Sequence, residues 1–580
     1  MRLLASPPMR VKSPGSTLAG EPLLFDQDQG REPPKGWFFA GLALLLLLFA
    51  APLFYRLGAP DLDNDEAIYA HAVNSIVDQG AWSTPWSSPR EDPFLEKPPL
   101  KLWLVAVGQL AGLRPNEVGM RFFDPIFGAL ALVYLYLFGC RAGGVLAGLG
   151  AGATLFLFAP ILFDHGLRSG AMDAALLLSY CGGAWHFLAW AGEPPGSRGS
   201  RRQLLAATLF FTGGFLVKFV AALFLPLAAG IACLAHPVTR RRLRQEAWLL
   251  AAAAGLFALL AAPWFVFQHG AHGALFWRVL LGQHVVERLT SHLDPAHVKP
   301  FWHYFAFFAR ELAAAGSLPW VLLGLGLWLA ASWRGRSLFG LFVLAWLAPL
   351  LAISFGTSKL GHYAYPFLPP LCLFAGFGLA RAAGAGAELL RRLRQRPRRL
   401  ALALLLSSVA IAAALWRPVV HYRDLLERLG QGEHPLRDLG ACLRKGAGVT
   451  LLEEGQRRPL FFVHAFRSDG MPHPLAYYSR QGAELQQLKK PDEKLLFFRL
   501  YLPPHQAATL VSEPLWASFR QNLEDPRFRH QLLEQARDLG AEAETARLLE
   551  NPDALAEPPG FTTEGWRYFL PGPYAACMPP

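Results

Sequence analysis

The chain has 580 residues, 53% of them hydrophobic and 17% charged, with a mean hydropathy of +0.25. A soluble protein carries about 25% charged residues, so an ordinary soluble domain is excluded, and six cysteines in this length exclude a disulfide scaffold. The net charge of +12 falls in short arginine clusters between apolar runs, which excludes a basic nucleic-acid-binding domain and points to a polytopic membrane protein.

Residues 1–35 are polar, with Arg31, Pro33, Pro34 and Lys35 at their end, and are expected in the cytoplasm. Gly36–Tyr55 is a 20-residue apolar run, long enough for the hydrocarbon layer. Ala51-Pro-Leu-Phe-Tyr-Arg at its end is no small-residue cleavage site, so this reads as a retained first span. Further spans are expected at Phe122–Gly139, Val145–Phe163, Ala171–Trp190, Ala247–Phe267, Leu312–Trp333, Leu338–Phe355, His362–Ala380 and Leu400–Trp416. Between Leu204 and Leu234 only Lys218 is charged. Arginines at 198, 201 and 202 precede this stretch and arginines at 240, 241, 242 and 244 follow it. Both clusters belong inside by the charge bias of loops, so an even number of crossings separates them. A hairpin with Lys218 at its outer, interfacial tip is expected.

Arg141, Arg334, Arg336 and the seven arginines from Arg381 to Arg399 obey the same parity. The fold class is therefore a mainly α, polytopic bundle of about 11–13 spans with its amino terminus inside. The spans and loops of residues 36–417 form one unit, in which loops 56–121 and 268–311 face outward. Residues 418–580 have ordinary composition and read as an outward α/β domain. Strands are expected there at Val449–Leu452, Pro459–Val463, Leu495–Leu502 and Trp566–Leu570, and helices at Leu532–Asp538 and Ala541–Leu549. Cys140, Cys181, Cys233 and Cys372 lie in or beside spans as packing residues, and an oxidising compartment would permit a Cys442–Cys577 disulfide.

Ionisable groups in a membrane protein mark function, and here they gather at the outer ends of spans. The first loop opens with Asp61, Asp63, Asp65 and Glu66 directly after a span. Such carboxylates suit a general base, a metal ligand or a sugar acceptor, and equally the acidic cap of a loop helix. If Asp65 starts a helix, Tyr69 lies on its face. Phe94-Leu-Glu96-Lys97-Pro98-Pro99 then holds an acid–base pair on an extended segment, because the two prolines forbid a helix there. Leu100–Leu113, with Trp103, is too short to span and reads as an interfacial helix.

DNDEAIY at 63–69, FLEKPPLKLWL at 94–104 and NEVGMRFF at 116–123 resemble the polyprenyl-phosphate-dependent glycosyltransferases. That family includes the lipid A aminoarabinose transferases and, more distantly, the protein O-mannosyltransferases. LRSGAMDAALLL at 167–178, GGFLVKF at 213–219, GQHVVERL at 282–289 and SKLGHYAYPFLPPL at 358–371 follow in the same order. The similarity covers roughly residues 36–380, and in the tail GMPHPLAYYSRQ at 470–481 also resembles these transferases.

The resemblance implies a GT-C fold and transfer of a monosaccharide from polyprenyl (undecaprenyl) phosphate at the periplasmic face of a bacterial inner membrane. The acceptor would be a lipid such as lipid A, a glycan or a protein. It implies Asp65 as the catalytic carboxylate and Asp173 as a second acid. Lys97, Arg288 and Tyr363 match phosphate-holding positions. Glu96, Tyr69 and Lys359 are expected in the same pocket, with Glu66 and Arg168 beside it. The chemistry agrees: cations facing the departing phosphate stabilise the transition state more than the ground state, an Asp takes the acceptor's proton, and direct displacement inverts the anomeric centre.

Plainer readings stand beside these. Arg288 suits a snorkelling side chain, Lys359 and Tyr363 an interfacial anchor, and Asp173 with Arg168 a helix-terminus ion pair. The histidine-rich second loop (His269, His272, His284, His292, His297, His303) lacks a metal-binding spacing. A divalent cation at Asp61–Glu66 is compatible with the chemistry and not required by it. Two departures from the family pattern stand out: Phe219-Val-Ala after Lys218, and Gly361-His362 before Tyr363. The rival function is a transporter or flippase of lipid-linked sugars, which mid-span charges or inverted repeats would favour. Neither is present in the sequence.

Overall fold

The computed structural model describes residues 35–87, 92–291, 297–335, 337–432, 435–444, 460–464, 473–479, 484–487, 492–502, 506–551, 555–558, 560–563 and 566–570. Among the described residues, seven helical stretches are long and apolar enough to cross a membrane: Lys35–Phe54, Glu117–Gly143, Asp173–Gly192, Arg198–Ala235, Ala247–His272, Gly361–Leu393 and Pro397–Leu429. His303–Ala314 and Leu318–Ser332, bent by 118° at their junction, make an eighth if taken as one span. Val145–Leu157 and Leu338–Ser354 are shorter apolar helices at expected span positions. Small residues let the bundle close. A Cβ on Gly139 would meet the Gly148 backbone at 2.5 Å, so these two helices touch backbone to backbone.

Arg198–Ala235 is folded back on itself. As one straight helix its 38 residues would extend about 57 Å. Instead Ser200, near its start, donates to Glu246 (2.7 Å) and accepts from Arg242 (3.2 Å), a few residues past its end. The reversal falls at Phe219, whose φ is +35°. Arg242 also reaches the Ala191 carbonyl (3.0 Å), so this arginine-bearing end is knitted together across two hairpins. With the hairpin counted as two passes, the bent pair as one and the two shorter helices as crossings, the count among the described residues comes to eleven, the lower end of the 11–13 expected.

The first loop packs as a helix, Asn64–Gln79, against an amphipathic helix, Leu100–Leu110. The Leu100–Leu110 helix buries Lys101, Leu102, Val105 and Ala106 and exposes Val107 and Leu110. Pro397–Leu429 continues through Pro418, so the boundary expected at 417/418 lies inside a helix, and the α/β unit starts at Pro435.

That unit holds β1 (Leu460–His464), β2 (Glu484–Gln487), β3 (Thr509–Ser512), β4 (Gly560–Thr563) and β5 (Trp566–Phe569), in spatial order β2-β1-β3-β5-β4. β1 pairs parallel with β2 and β3, while β5 pairs antiparallel with β3 and β4. Leu495–Leu502, expected as a strand, is instead part of a helix, Glu493–Tyr501, capped by Asp492. Leu496, Phe497, Phe498, Leu500 and Tyr501 are all buried, and a short apolar run buried on every side has no period to separate helix from strand. Helices Pro526–Asp538 and Glu542–Glu550 match the two expected. Val449–Leu452 lies outside the described residues. Cys442 is disulfide-bonded, and its expected partner Cys577 also lies outside them.

Candidate active site

The Asn64–Gln79 helix begins with a reciprocal cap. Asp63 accepts the Glu66 N–H (2.7 Å) and Glu66 accepts the Asp63 N–H (2.9 Å). Of the first loop's acids, Asp63 and Glu66 thus serve the helix start, and Asp61 accepts the Leu436 N–H of the tail (2.8 Å). Asp65 is the acid left for chemistry. Its Oδ2 accepts from Tyr69 Oη (3.1 Å), one turn on, and from His165 Nε2 (3.3 Å), while Oδ1 has no hydrogen bond among the described residues. Lys97 Nζ donates to Tyr69 Oη, so Asp65, Tyr69 and Lys97 form one chain of contacts.

Beside this chain opens a cavity. Its lining combines the polar Glu96, Lys97, Asp173, Lys218, Arg288 and Tyr363 with the apolar Leu176, Phe219, Phe224, Leu280, Leu289 and Ile353. Arg288 donates to Tyr363 Oη. Glu96 lies 3.9 Å from both Lys97 and His284. Burial presses His284 down to about 3, with Arg288 and Lys97 adding to the effect, so this imidazole is neutral. Glu96 is raised, by burial first and Asp65 next, against Lys97 and Arg288. The sites named from the sequence at Asp65, Tyr69, Glu96, Lys97, Asp173, Arg288 and Tyr363 therefore meet in one place.

Three expected pocket residues do not, and two others are placed differently. Glu66 is buried against Arg121, which binds it through Nε (2.7 Å) and also holds the carbonyls of Leu57, Pro60 and Asp61. Burial would raise the Glu66 carboxyl, but the Arg121 charge holds it below its usual range. Arg168 serves the backbone, donating to the carbonyls of Leu53 (3.0 Å) and Tyr55. Lys359 is turned onto the carbonyls of Lys299 (2.8 Å) and Gly356, because residues 358–360 are extended and a 3₁₀ turn, Gly361–Phe367, follows; Lys359 and Tyr363 share no helix face. Asp173 pairs with Lys218 (2.7 and 2.8 Å), not with Arg168. Lys218 is accordingly no interfacial tip: the turn at Phe219 tucks it into the cavity wall.

Sequence reading missed Arg121, Lys101, Asp124 and His165. Lys101 is sealed against Asp124 (2.7 and 2.9 Å) and the Ala171 carbonyl. The signal was available in Met120-Arg-Phe-Phe-Asp124, two charges at the head of an apolar helix where only buried partners would retain them. The second-loop histidines do not assemble: Trp277 donates to His269 (3.1 Å), His284 lines the cavity, and His292 lies outside the described residues.

Asp164, His165 and His362 bring metal-binding atoms within 4.8 Å of one another. The two imidazoles, however, stack face to face, with centroids 4.3 Å apart and planes 6° from parallel. Ring lone pairs lie in the ring planes, and parallel planes share no point for an ion.

The protein family described as dolichyl-phosphate-mannose-protein mannosyltransferase matches residues 96–267. Undecaprenyl phosphate-alpha-4-amino-4-deoxy-L-arabinose arabinosyl transferases of Pectobacterium carotovorum subsp. carotovorum (strain PC1) and Pseudomonas savastanoi pv. phaseolicola (strain 1448A / Race 6) are both 27% identical to it, over 365 and 352 residues. These matches cover 61% and 60% of this chain, and 60% and 61% of theirs, so the chain spans about three-fifths of the curated relatives' length. Among solved structures, ArnT from Cupriavidus metallidurans bound to undecaprenyl phosphate superposes with a TM-score of 0.58 at 18% identity, over 84% of this chain and 95% of that one. The oligosaccharyltransferase AglB from Archaeoglobus fulgidus, in complex with an inhibitory peptide and a dolichol-phosphate, gives 0.54 at 13% identity, over 83% and 70%. The fold is that of the GT-C membrane glycosyltransferases.

Proposed function

We propose that this multi-pass membrane protein is a glycosyltransferase that moves a monosaccharide from a polyprenyl phosphate to a lipid, glycan or protein acceptor. The observation that carries this reading is a cavity lined both by the cations Lys97, Lys218 and Arg288 and by apolar side chains, next to a carboxylate with one oxygen open. An isoprenoid phosphate has that same division, an anionic head on a hydrocarbon chain. Undecaprenyl phosphate bound to the similarly folded ArnT, and dolichol-phosphate in the AglB complex, support the same donor class.

In the proposed reaction Lys97, Arg288 and Tyr363 hold the phosphate. The bond from the anomeric carbon to the phosphate oxygen breaks, its electron pair leaves with the phosphate, and these donors stabilise the growing charge. The acceptor hydroxyl attacks from the opposite face while Asp65 Oδ1 takes its proton, so the product is inverted. Tyr69 couples the two halves, touching both base and phosphate cation. Asp173 acts through Lys218 by keeping that ammonium in the wall. The lysine-bearing end faces the periplasm and the arginine clusters the cytoplasm, as loop charge bias requires.

The test is membranes containing wild type or Asp65→Asn, supplied with a polyprenyl-phosphate sugar and an acceptor extract, with products read by mass spectrometry. Asp65→Asn should lose about 10²–10⁴-fold in rate. Normal transfer by a correctly inserted variant would refute the base assignment.

A further inference from the structure

We infer that His165, clamped between Asp164 and Asp65, is a positioning residue whose imidazolium orients the proposed base and keeps it ionised. This rests on the reading of Asp65 as base. Both ring nitrogens face carboxylates, Nδ1 to Asp164 at 3.0 Å and Nε2 to Asp65 at 3.3 Å. A neutral imidazole has one N–H and could donate to only one of them; two carboxylate partners call for two donors. His362 stacks on the same ring at 4.3 Å. Two charged rings at that distance would repel, so His362 is the neutral member, and its face accommodates the charged ring.

The backbone is committed to this placement. His165 has φ +51°, a left-handed conformation disfavoured for any residue with a Cβ. Gly166 follows where a Cβ would fall 1.8 Å from the Ile161 carbonyl oxygen, and Leu167 N–H closes the turn on that oxygen at 2.7 Å. Left-handed non-glycine residues held in this way gather at functional sites. The electrostatics point the same way. Burial works against the imidazolium, but the hydrogen bonds to Asp164 and Asp65 and the charges of Asp63 and Asp65 overcome it and raise His165 to about 11. For Asp65, burial favours the neutral acid, and the His165 hydrogen bond with the charges of Lys97 and His165 holds it well below the usual carboxylate range.

Other titratable groups face Asp65 from every side: Asp63 and Tyr69 on its own helix, Glu96 and Lys97 on the proline segment, and Lys218, His284, His362 and His473 from elements packed around it. Of these His165 alone both bonds Asp65 and carries a second carboxylate behind it. The two oxygens of Asp65 thereby divide their work: Oδ2 is fixed by Tyr69 and His165, and Oδ1 is aimed at the acceptor.

Two measurements on the full-length protein in lipid nanodiscs test this. ¹⁵N-histidine NMR at pH 8, with His165 assigned by difference from His165→Gln, should show both ring nitrogens protonated; a neutral tautomer overturns the inference without reference to catalysis. In transfer assays His165→Gln should lower kcat about 10²-fold with the donor KM changed less than twofold, and should move the acid limb of the pH–rate profile upward. His165→Lys, which returns the charge without the planar double donor, should restore the acid limb and only part of kcat. A wild-type rate and acid limb in His165→Gln overturn the proposal. So does one equivalent of zinc in the purified protein that is lost in both His165→Gln and His362→Gln. Normal transfer by Asp65→Asn would strike the base assignment alone, since the NMR arm still reports the clamp.

Discussion

Arg288 and Lys359 illustrate how little a side chain's type says about its task. Both are cations expected in the same pocket, yet Arg288 faces the cavity beside Tyr363 and Lys359 is consumed by two backbone carbonyls. Arg288→Gln and Lys97→Gln should each lower kcat by about 10²–10³-fold, the worth of one well-aimed donor to a developing anion. Lys359→Met should change the rate less than threefold while lowering thermal stability, since its carbonyl partners lose their donor. Steady-state transfer assays with a thermal melt of the same preparations separate the two outcomes. The pH dependence follows from Asp65. A carboxyl held below its ordinary range stays charged at mildly acid pH, so transfer should be flat as pH falls to about 5, below which an unperturbed Asp near 3.9 would begin to titrate. Asp65's contribution to stability has the same sign: it is present above the unfolded-state value and lost only as pH falls through the depressed folded one. A rate that drops by half between pH 7 and 5.5 would contradict this.

At the scale of elements, two buried ion pairs set the site's frame. Glu66–Arg121 ties the Asn64–Gln79 helix to the start of the Glu117–Gly143 span, and Lys101–Asp124 ties the Leu100–Leu110 helix to that same span. Each also reaches the 166–173 segment, Glu66 through the Gly170 N–H and Lys101 through the Ala171 carbonyl. That segment carries Asp173 at one end and follows His165 at the other, so one span head positions three walls of the site. Arg121→Met leaves Glu66 buried without its cation and should cost about 3–5 kcal/mol. The double change Arg121→Met with Glu66→Leu should recover much of that, because an apolar pair pays no desolvation penalty. Thermal unfolding in detergent, followed by tryptophan fluorescence, gives both numbers. Equal losses in the single and double variants would show that the ion pair is not the source of the stability.

Across the whole molecule, the tail and the first loop share one core. Val463, Leu510 and Tyr568 of the sheet pack in the same cluster as Ala67, Ala70 and Val73 of the Asn64–Gln79 helix, and Leu475, Tyr477 and Tyr478 belong to it too. Tyr478 accepts the Leu62 N–H and donates to Glu117, both at 2.8 Å, and Asn64 accepts the His473 N–H. The tail therefore braces the helix that presents Asp65. Tyr478→Phe removes both bonds and should cost about 1–3 kcal/mol, visible as faster proteolytic release of the tail from an otherwise intact bundle. Orientation is testable on the same scale. In a cysteine-free background, an impermeant maleimide added to intact cells should label Asp92→Cys and spare Arg240→Cys; the opposite pattern would invert the proposed topology.

The sequence by itself determined the membrane bundle, the hairpin parity and the catalytic vicinity, because apolar length, arginine bias and proline placement act locally and leave marks in order along the chain. GMPHPLAYYSRQ was legible as a motif, but not as a brace on the Asn64–Gln79 helix. Only the tertiary structure decided which of many charges work. Asp65 and Glu66 are neighbours in an acidic run, yet one accepts a tyrosine and a histidine at the cavity edge and the other is spent on Arg121. Pairing of that kind is a property of three-dimensional closure: a buried charge must find a partner, and His165 reaches Asp65 from a hundred residues away.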